Sequence, residues 1–243
     1  MTNRVLSPWL SSQVEEIRER GKEPLALLDV DLTLVDNGPR NRAILGAWLH
    51  EVRDRWDGAE AAMVRAQTMP IVFGVGENLS SLGVTDESLR KEALSFWVKA
   101  FFHGPNCRHD TPLPGAVDAV HLLRANGITV AYVTARPEKM VPDTTACFRA
   151  MGFPVGVPGT ILATKSPGAS DEDHKAEACT WLGRLGEPLL CADNEPGHVN
   201  LMQGLYPRAR AVLIETRHSA SAPPLVSVAI RAGSLLEAVT TDP

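Results

Sequence analysis

Two aspartates one residue apart, Asp29 and Asp31, follow the apolar run Leu25 to Leu28, and Thr33 comes two positions after the second. A carboxylate taken out of water costs several kcal/mol or more unless it is paired or bound to a cation, so two of them behind an apolar run ask for a metal, a positive partner or the open end of a strand. Residues i and i+2 of a strand point to one side, so Asp29 and Asp31 can converge on one site if the extended backbone persists. With Asp29 closing the strand and Asp31 in the loop beyond it, both sit where open parallel sheets place their ligands. A surface turn rich in Asp and Asn is the plain alternative. It does not account for Leu28, Val30, Leu32, Leu34 and Val35 threaded through the same stretch.

Two further apolar runs end in polar residues. Thr134 and Arg136 follow Ala131-Tyr132-Val133, and Asp193, Asn194 and Glu195 follow Leu189-Leu190-Cys191-Ala192. The Thr134 hydroxyl could donate to a phosphate oxygen or cap a helix, and its type alone does not decide between them. Arg136 could clamp a phosphate or carboxylate bidentately, or make a surface ion pair. A lysine would offset the charge where a carboxylate and a phosphate approach, and Lys165 and Lys175 both stand in the right part of the chain. Most lysines are solvated, which weighs against each.

Asp29-Val-Asp31-Leu-Thr33 resembles the first motif of the haloacid dehalogenase-like (HAD-like) hydrolases, most of which are phosphatases. Thr134 resembles the second motif, and Lys175, 18 residues before Asp193, fits the family's third better than Lys165. Asp193-Asn194-Glu195 resembles the acidic fourth motif, but Ala192 replaces a usual Gly and Gly197 stands where a more distant Asp is expected. That departure leaves Asp193 as the better metal ligand and Asn194 and Glu195 open. Four motifs in the right order, over about Leu25 to Leu213, are far more specific than any one of them.

The resemblance implies a Mg²⁺-dependent phosphatase acting on a small phosphate monoester. Asp29 would be the nucleophile that forms an aspartyl-phosphate, and Asp31 the acid and then the base. Thr134, Lys175 and, in second rank, Arg136 would contact the phosphate; Asp29, Asp193 and the carbonyl of Asp31 would hold the metal. An acid at position 31 disfavours dehalogenation. A phosphomutase, or a non-catalytic phosphate-binding scaffold suggested by the altered fourth motif, is the alternative.

Around these residues the chain reads as an α/β protein, a Rossmann-like three-layer sandwich with a central parallel sheet. Strands are expected at 24–29, 128–133, 160–163, 188–192 and 211–214. Helices are expected at 11–20, 116–125, 142–151, 173–185, 197–205 and 235–239. Between Asn37 and Thr111 almost nothing reads as a strand, so 37–111 is expected to be a smaller all-helical cap, with 1–36 and 112–243 forming the core. Within it, helices are expected over 40–56 and 86–102, the latter capped by Thr85, with a loop or broken helix over 70–83. The cap would close over the site and exclude water.

Composition narrows the partners. A charge of -5 argues against a nucleic-acid surface built on bulk charge. No apolar stretch approaches the roughly 20 residues needed to span a bilayer. Met1 to Pro8 lacks a secretory signal pattern, and the four scattered cysteines suggest reduced thiols, so a cytoplasmic location is expected. His103, Cys107 and His109 form too incomplete a set for zinc and read as a polar loop. Gly74-Val-Gly76 lacks the strand and lysine of a phosphate loop. The five tryptophans read as packing residues.

Overall fold

The computed structural model describes residues 5–242, so the expectation for Met1 to Pro8 lies partly outside the described residues. The chain opens with α1 (Pro8–Glu19), whose N-cap Ser7 accepts from the Leu10 amide; β1 (Pro24–Leu28) follows. All five residues of β1 are buried, which is the signature of a strand covered on both faces. Parallel neighbours β4 (Thr129–Pro137) and β6 (Glu187–Asp193) flank it. With β5 (Thr160–Lys165), β7 (Arg210–Ile214) and β8 (Ile230–Ala232) they make a parallel six-stranded sheet in the order β5-β4-β1-β6-β7-β8.

The period of two along the strands sorts the side chains between two helical layers. Ala26, Leu28, Val130, Tyr132, Leu190 and Ala192 face α1, α6 (Ala116–Ala125), α7 (Val141–Met151) and α10 (Leu235–Thr240). Leu27, Ala131, Val133 and Cys191 face the other way, against α8 (Asp171–Leu182) and α9 (Pro196–Leu205). This is the expected three-layer α/β sandwich. From β1 the chain builds outward to β4 and β5, then returns to place β6 on the other side of β1. That reversal opens a crevice at the carboxyl ends of these strands.

Between β2 (Val35–Asp36) and β3 (Thr111–Pro112), which pair antiparallel, the chain makes α2 (Gly38–Val52), α3 (Ala59–Thr68), α4 (Val75–Ser81) and α5 (Glu87–Phe101). These helices enclose their own buried cluster, including Trp48, Leu49, Val52, Ala62, Leu79 and Leu82.

Several boundaries differ from the sequence expectation. α3 lies where no helix was read, because its buried positions are the small residues Ala59, Ala62 and Ala66, which leave little hydrophobic contrast. α5 is capped by Asp86, whose carboxylate accepts from the Leu89 amide, not by Thr85. Residues 104–109, read as a polar loop, form a 3₁₀ helix. β8 is three residues long, too short for its period to register. Among the described residues no helix is long and apolar enough to cross a membrane.

Candidate active site

Register places the site residues. Leu28 is level with Tyr132 on β4 and Ala192 on β6, so Asp29, one residue on, stands level with Val133 and Asp193. The Asp29 amide donates to the Ala192 carbonyl at 2.9 Å, which continues the ladder one step beyond β1. The chain then turns. Leu32 has φ 66, in the left-handed region that non-glycine residues seldom adopt, and its amide closes back on the Val35 carbonyl at 2.7 Å. This reversal folds Thr33 back towards the strand, and its Oγ1 donates to Asp29 Oδ2 at 2.9 Å.

Lys175, on the first half of α8, crosses the sheet edge between two carboxylates. Its Nζ is 2.7 Å from Asp29 Oδ1, 2.8 Å from Asp193 Oδ2 and 3.2 Å from the Val133 carbonyl. Lys165 instead pairs with Asp171 at 2.5 Å, at the edge of the site. His198, in the first turn of α9, brings Nδ1 to 3.3 Å from Asp193 Oδ2. Asp193 Oδ1 accepts from the Glu195 amide, whereas the buried Oδ2 makes no hydrogen bond of good geometry and has only these ionic neighbours.

Burial pushes the Asp29 carboxyl up, to about 6, with Lys175 pulling against it and Asp193 adding to it. Burial also opposes ionisation of Asp193, but Lys175 and His198 together hold it down, at about 2. The ammonium of Lys175 is desolvated too, yet Asp193 and Asp29 raise it above the ordinary lysine range. The centre is therefore a buried cation between two carboxylates, one of whose oxygens, Asp193 Oδ2, has ionic neighbours but no hydrogen bond of good geometry. Among the described residues no group of three or more His, Cys, Asp and Glu side chains is gathered as a metal site. A hard divalent cation that retains its waters needs only one or two carboxylates, and Asp193 Oδ2, buried beside Asp29 with no hydrogen bond of good geometry, suits it.

Asp31 has other company. Arg136 donates from Nε to Asp31 Oδ2 at 2.8 Å and from Nη2 to Asp31 Oδ1 at 3.0 Å. Arg40, from the first turn of α2, donates to the same Oδ1, as does Asn37. Both guanidiniums also bind buried Asp110, Arg40 Nε at 2.8 Å and Arg136 Nη2 at 2.8 Å. Burial works against charge on Asp31, but Arg136 and Arg40 hold its carboxyl well below the usual range. Burial pushes Asp110 up, to about 6, against the same two arginines.

Arg136 is neither a surface ion pair nor free for a ligand. Its side chain is buried, and Nη1 donates to Cys107 Sγ at 3.3 Å and Thr144 Oγ1 at 3.4 Å, so all five donors have partners. Thr134 lies buried at the sheet edge, but it caps no helix. β4 runs on through Pro137, and Thr134 Oγ1 accepts from the Arg136 amide at 3.2 Å. Asn194 donates to the Arg217 carbonyl and Glu195 accepts from the Ser219 amide, so both side chains engage the loop after β7.

Sequence reasoning missed Arg40, Asp110 and His198. Arg40 had a signal: with Ile44 and Trp48 it keeps i, i+4, i+8 spacing on the buried face of α2, where a charge must find a partner. Asp110 and His198 lie outside any such pattern.

No family model and no curated protein matches the chain. Solved structures do match its fold. A candidate phosphatase from Clostridium difficile superposes with a TM-score of 0.57 at 12% identity, covering 87% of this chain and 94% of that one. Protein tyrosine kinase A from Mycobacterium tuberculosis gives 0.56 at 18% identity, covering 89% and 97%. A haloacid dehalogenase-like hydrolase from Streptococcus pneumoniae gives 0.51 at 13% identity, covering 90% and 97%. With its parallel sheet, its helical segment between β2 and β3, and Asp29 at the end of the central strand, the chain has the haloacid dehalogenase-like fold.

Proposed function

We propose that the protein is a Mg²⁺-dependent phosphatase that hydrolyses a small phosphate monoester through an aspartyl-phosphate on Asp29. The observation that carries this reading is the Asp29–Lys175–Asp193 contact at the carboxyl edge of the sheet, with Thr33 fixing the second Asp29 oxygen. Thr33 and Lys175 orient the Asp29 carboxylate. In the first step an Asp29 oxygen attacks phosphorus, the phosphorus–oxygen ester bond breaks, and the departing alkoxide takes a proton. In the second step water attacks the same phosphorus and releases Asp29. Lys175 offsets charge on the transferring oxygens, and the Thr134 hydroxyl, at the same edge, donates to one of them. Asp29, Asp193 and the carbonyl of Asp31 would hold Mg²⁺, which supplies charge neutralisation when bound.

Asp31 is the proton carrier in this scheme, and its arginine clamp shapes how it works. The clamp favours the ionised form, which is the base needed for the second step. Donating a proton in the first step requires the guanidiniums to loosen. Arg40 belongs to α2, so the proton carrier is tied to the helical segment that would cover the site. Neutral Asn keeps the shape of Asp29 but cannot form the acyl phosphate. Asp29→Asn is therefore expected to abolish Mg²⁺-dependent turnover of a generic aryl phosphate, and unchanged turnover would refute the assignment.

A further inference from the structure

A cavity of about 240 Å³ opens beside the site, with Asp31, Ala135 and Arg136 on its floor and Phe73, Trp97 and Phe102 in its walls. That is below the roughly 300 Å³ at which pockets begin to enclose drug-sized ligands, so it suits a single small group. Its walls are aromatic by construction. The Trp97 and Phe101 rings stack with centroids 4.6 Å apart, and Phe102 meets Phe101 edge-on at 5.3 Å.

The polar side chains around the cavity are already engaged with one another. Asn41 Oδ1 accepts from Trp97 Nε1 at 2.7 Å, and its Nδ2 donates to Asn37. Asn37 Nδ2 donates to Asp31. Arg217 is held by Asp36, Asn37 and the Ile71 carbonyl. Asn194 donates to the Arg217 carbonyl, Asp171 pairs with Lys165, and Arg136 has no donor left. A hydroxyl-rich group entering here would have to compete with these partners for the side chains already paired. A flat apolar group would gain aromatic contact. Phe73, 46% exposed, lines the cavity and leaves an apolar face open to water.

Resting on the phosphatase reading, we propose that the substrate is a phosphate monoester whose alcohol carries one planar aromatic ring, and that this ring binds between Phe73, Trp97 and Phe102.

The test compares two esters with similar alkoxide leaving groups, 2-phenylethyl phosphate and glycerol phosphate, on the full chain with Mg²⁺. The expected result is a kcat/KM at least 10-fold higher for the phenylethyl ester. Phe73→Ser, a change at an exposed position that leaves the fold in place, should narrow that ratio by roughly 5- to 10-fold, the scale of one aromatic contact. Equal turnover, or preference for glycerol phosphate, overturns the inference and leaves the phosphatase reading standing. A preference for the phenylethyl ester that Phe73→Ser does not change overturns the assignment to this cavity. Turnover of neither ester while a generic aryl phosphate is hydrolysed overturns the inference alone; turnover of none of the three overturns the phosphatase reading with it.

Discussion

Lys175 is the centre of the site, because it stands between the Asp29 and Asp193 carboxylates side by side at the sheet edge. Removing one partner from a buried ion pair leaves uncompensated charge, at about 3–5 kcal/mol. Lys175→Met is therefore expected to lower the unfolding free energy by about that amount in urea titration, and to reduce turnover by about 10²- to 10³-fold. If the variant unfolded at the wild-type midpoint, the lysine would not be the charge that the carboxylates depend on. Asp29, Thr134 and Asp193 were legible because each follows an apolar run and so marks a strand end; Lys175 was separable from Lys165 only through the resemblance of its spacing to the family's third motif. Asp110 was illegible for the opposite reason. It sits between a 3₁₀ helix and a two-residue strand, where no period marks a buried face, and its partners are 70 and 26 residues away.

Among the elements, α2 has the double role. Its buried face packs the helical segment through Trp48, Leu49 and Val52, while its first turn sends Arg40 into the sheet edge to meet Asp31 and Asp110. The Arg40 guanidinium also lies over the Phe101 ring, 4.1 Å from its centroid, so α2 and the end of α5 share that cation. Arg40→Met keeps the length of the side chain and removes the charge. The expected loss is about 3–5 kcal/mol of stability, from two carboxylates that keep Arg136 as their one cationic partner among the described residues. A melting temperature equal to the wild type would show that Arg136 alone satisfies the cluster. Helices with strong apolar contrast were readable, α6 to the residue; α3 was not, because alanine gives a helix periodicity without hydrophobic contrast.

At the scale of the whole molecule, two separate sets of buried side chains stand behind one site: the sheet and its covering helices, and the cluster around Trp48. Emptying the second should leave the first intact. Trp48→Ala is expected to cost about 3–5 kcal/mol, and hydrogen exchange should show lost protection over residues 38–101 with protection kept in β1, β4 and β6. Equal loss in both would mean that they unfold as one unit. The parallel α/β sheet was readable because strands and helices alternate along the chain with different hydrophobic periods; the order of the strands within it was not, nor were the two-residue strands β2 and β3. How the inserted helices reach the site was not, since it depends on Arg40 and on the aromatic rings of α5, whose partners come from distant segments. The central claim is that phosphorus becomes bonded to Asp29, and it is tested most directly by a crystal of the protein soaked with Mg²⁺ and beryllium fluoride. The account predicts a tetrahedral fluoroberyllate attached to an Asp29 carboxylate oxygen, within reach of Lys175; a fluoroberyllate attached to another residue, or none at Asp29 with the site open to solvent, would contradict it.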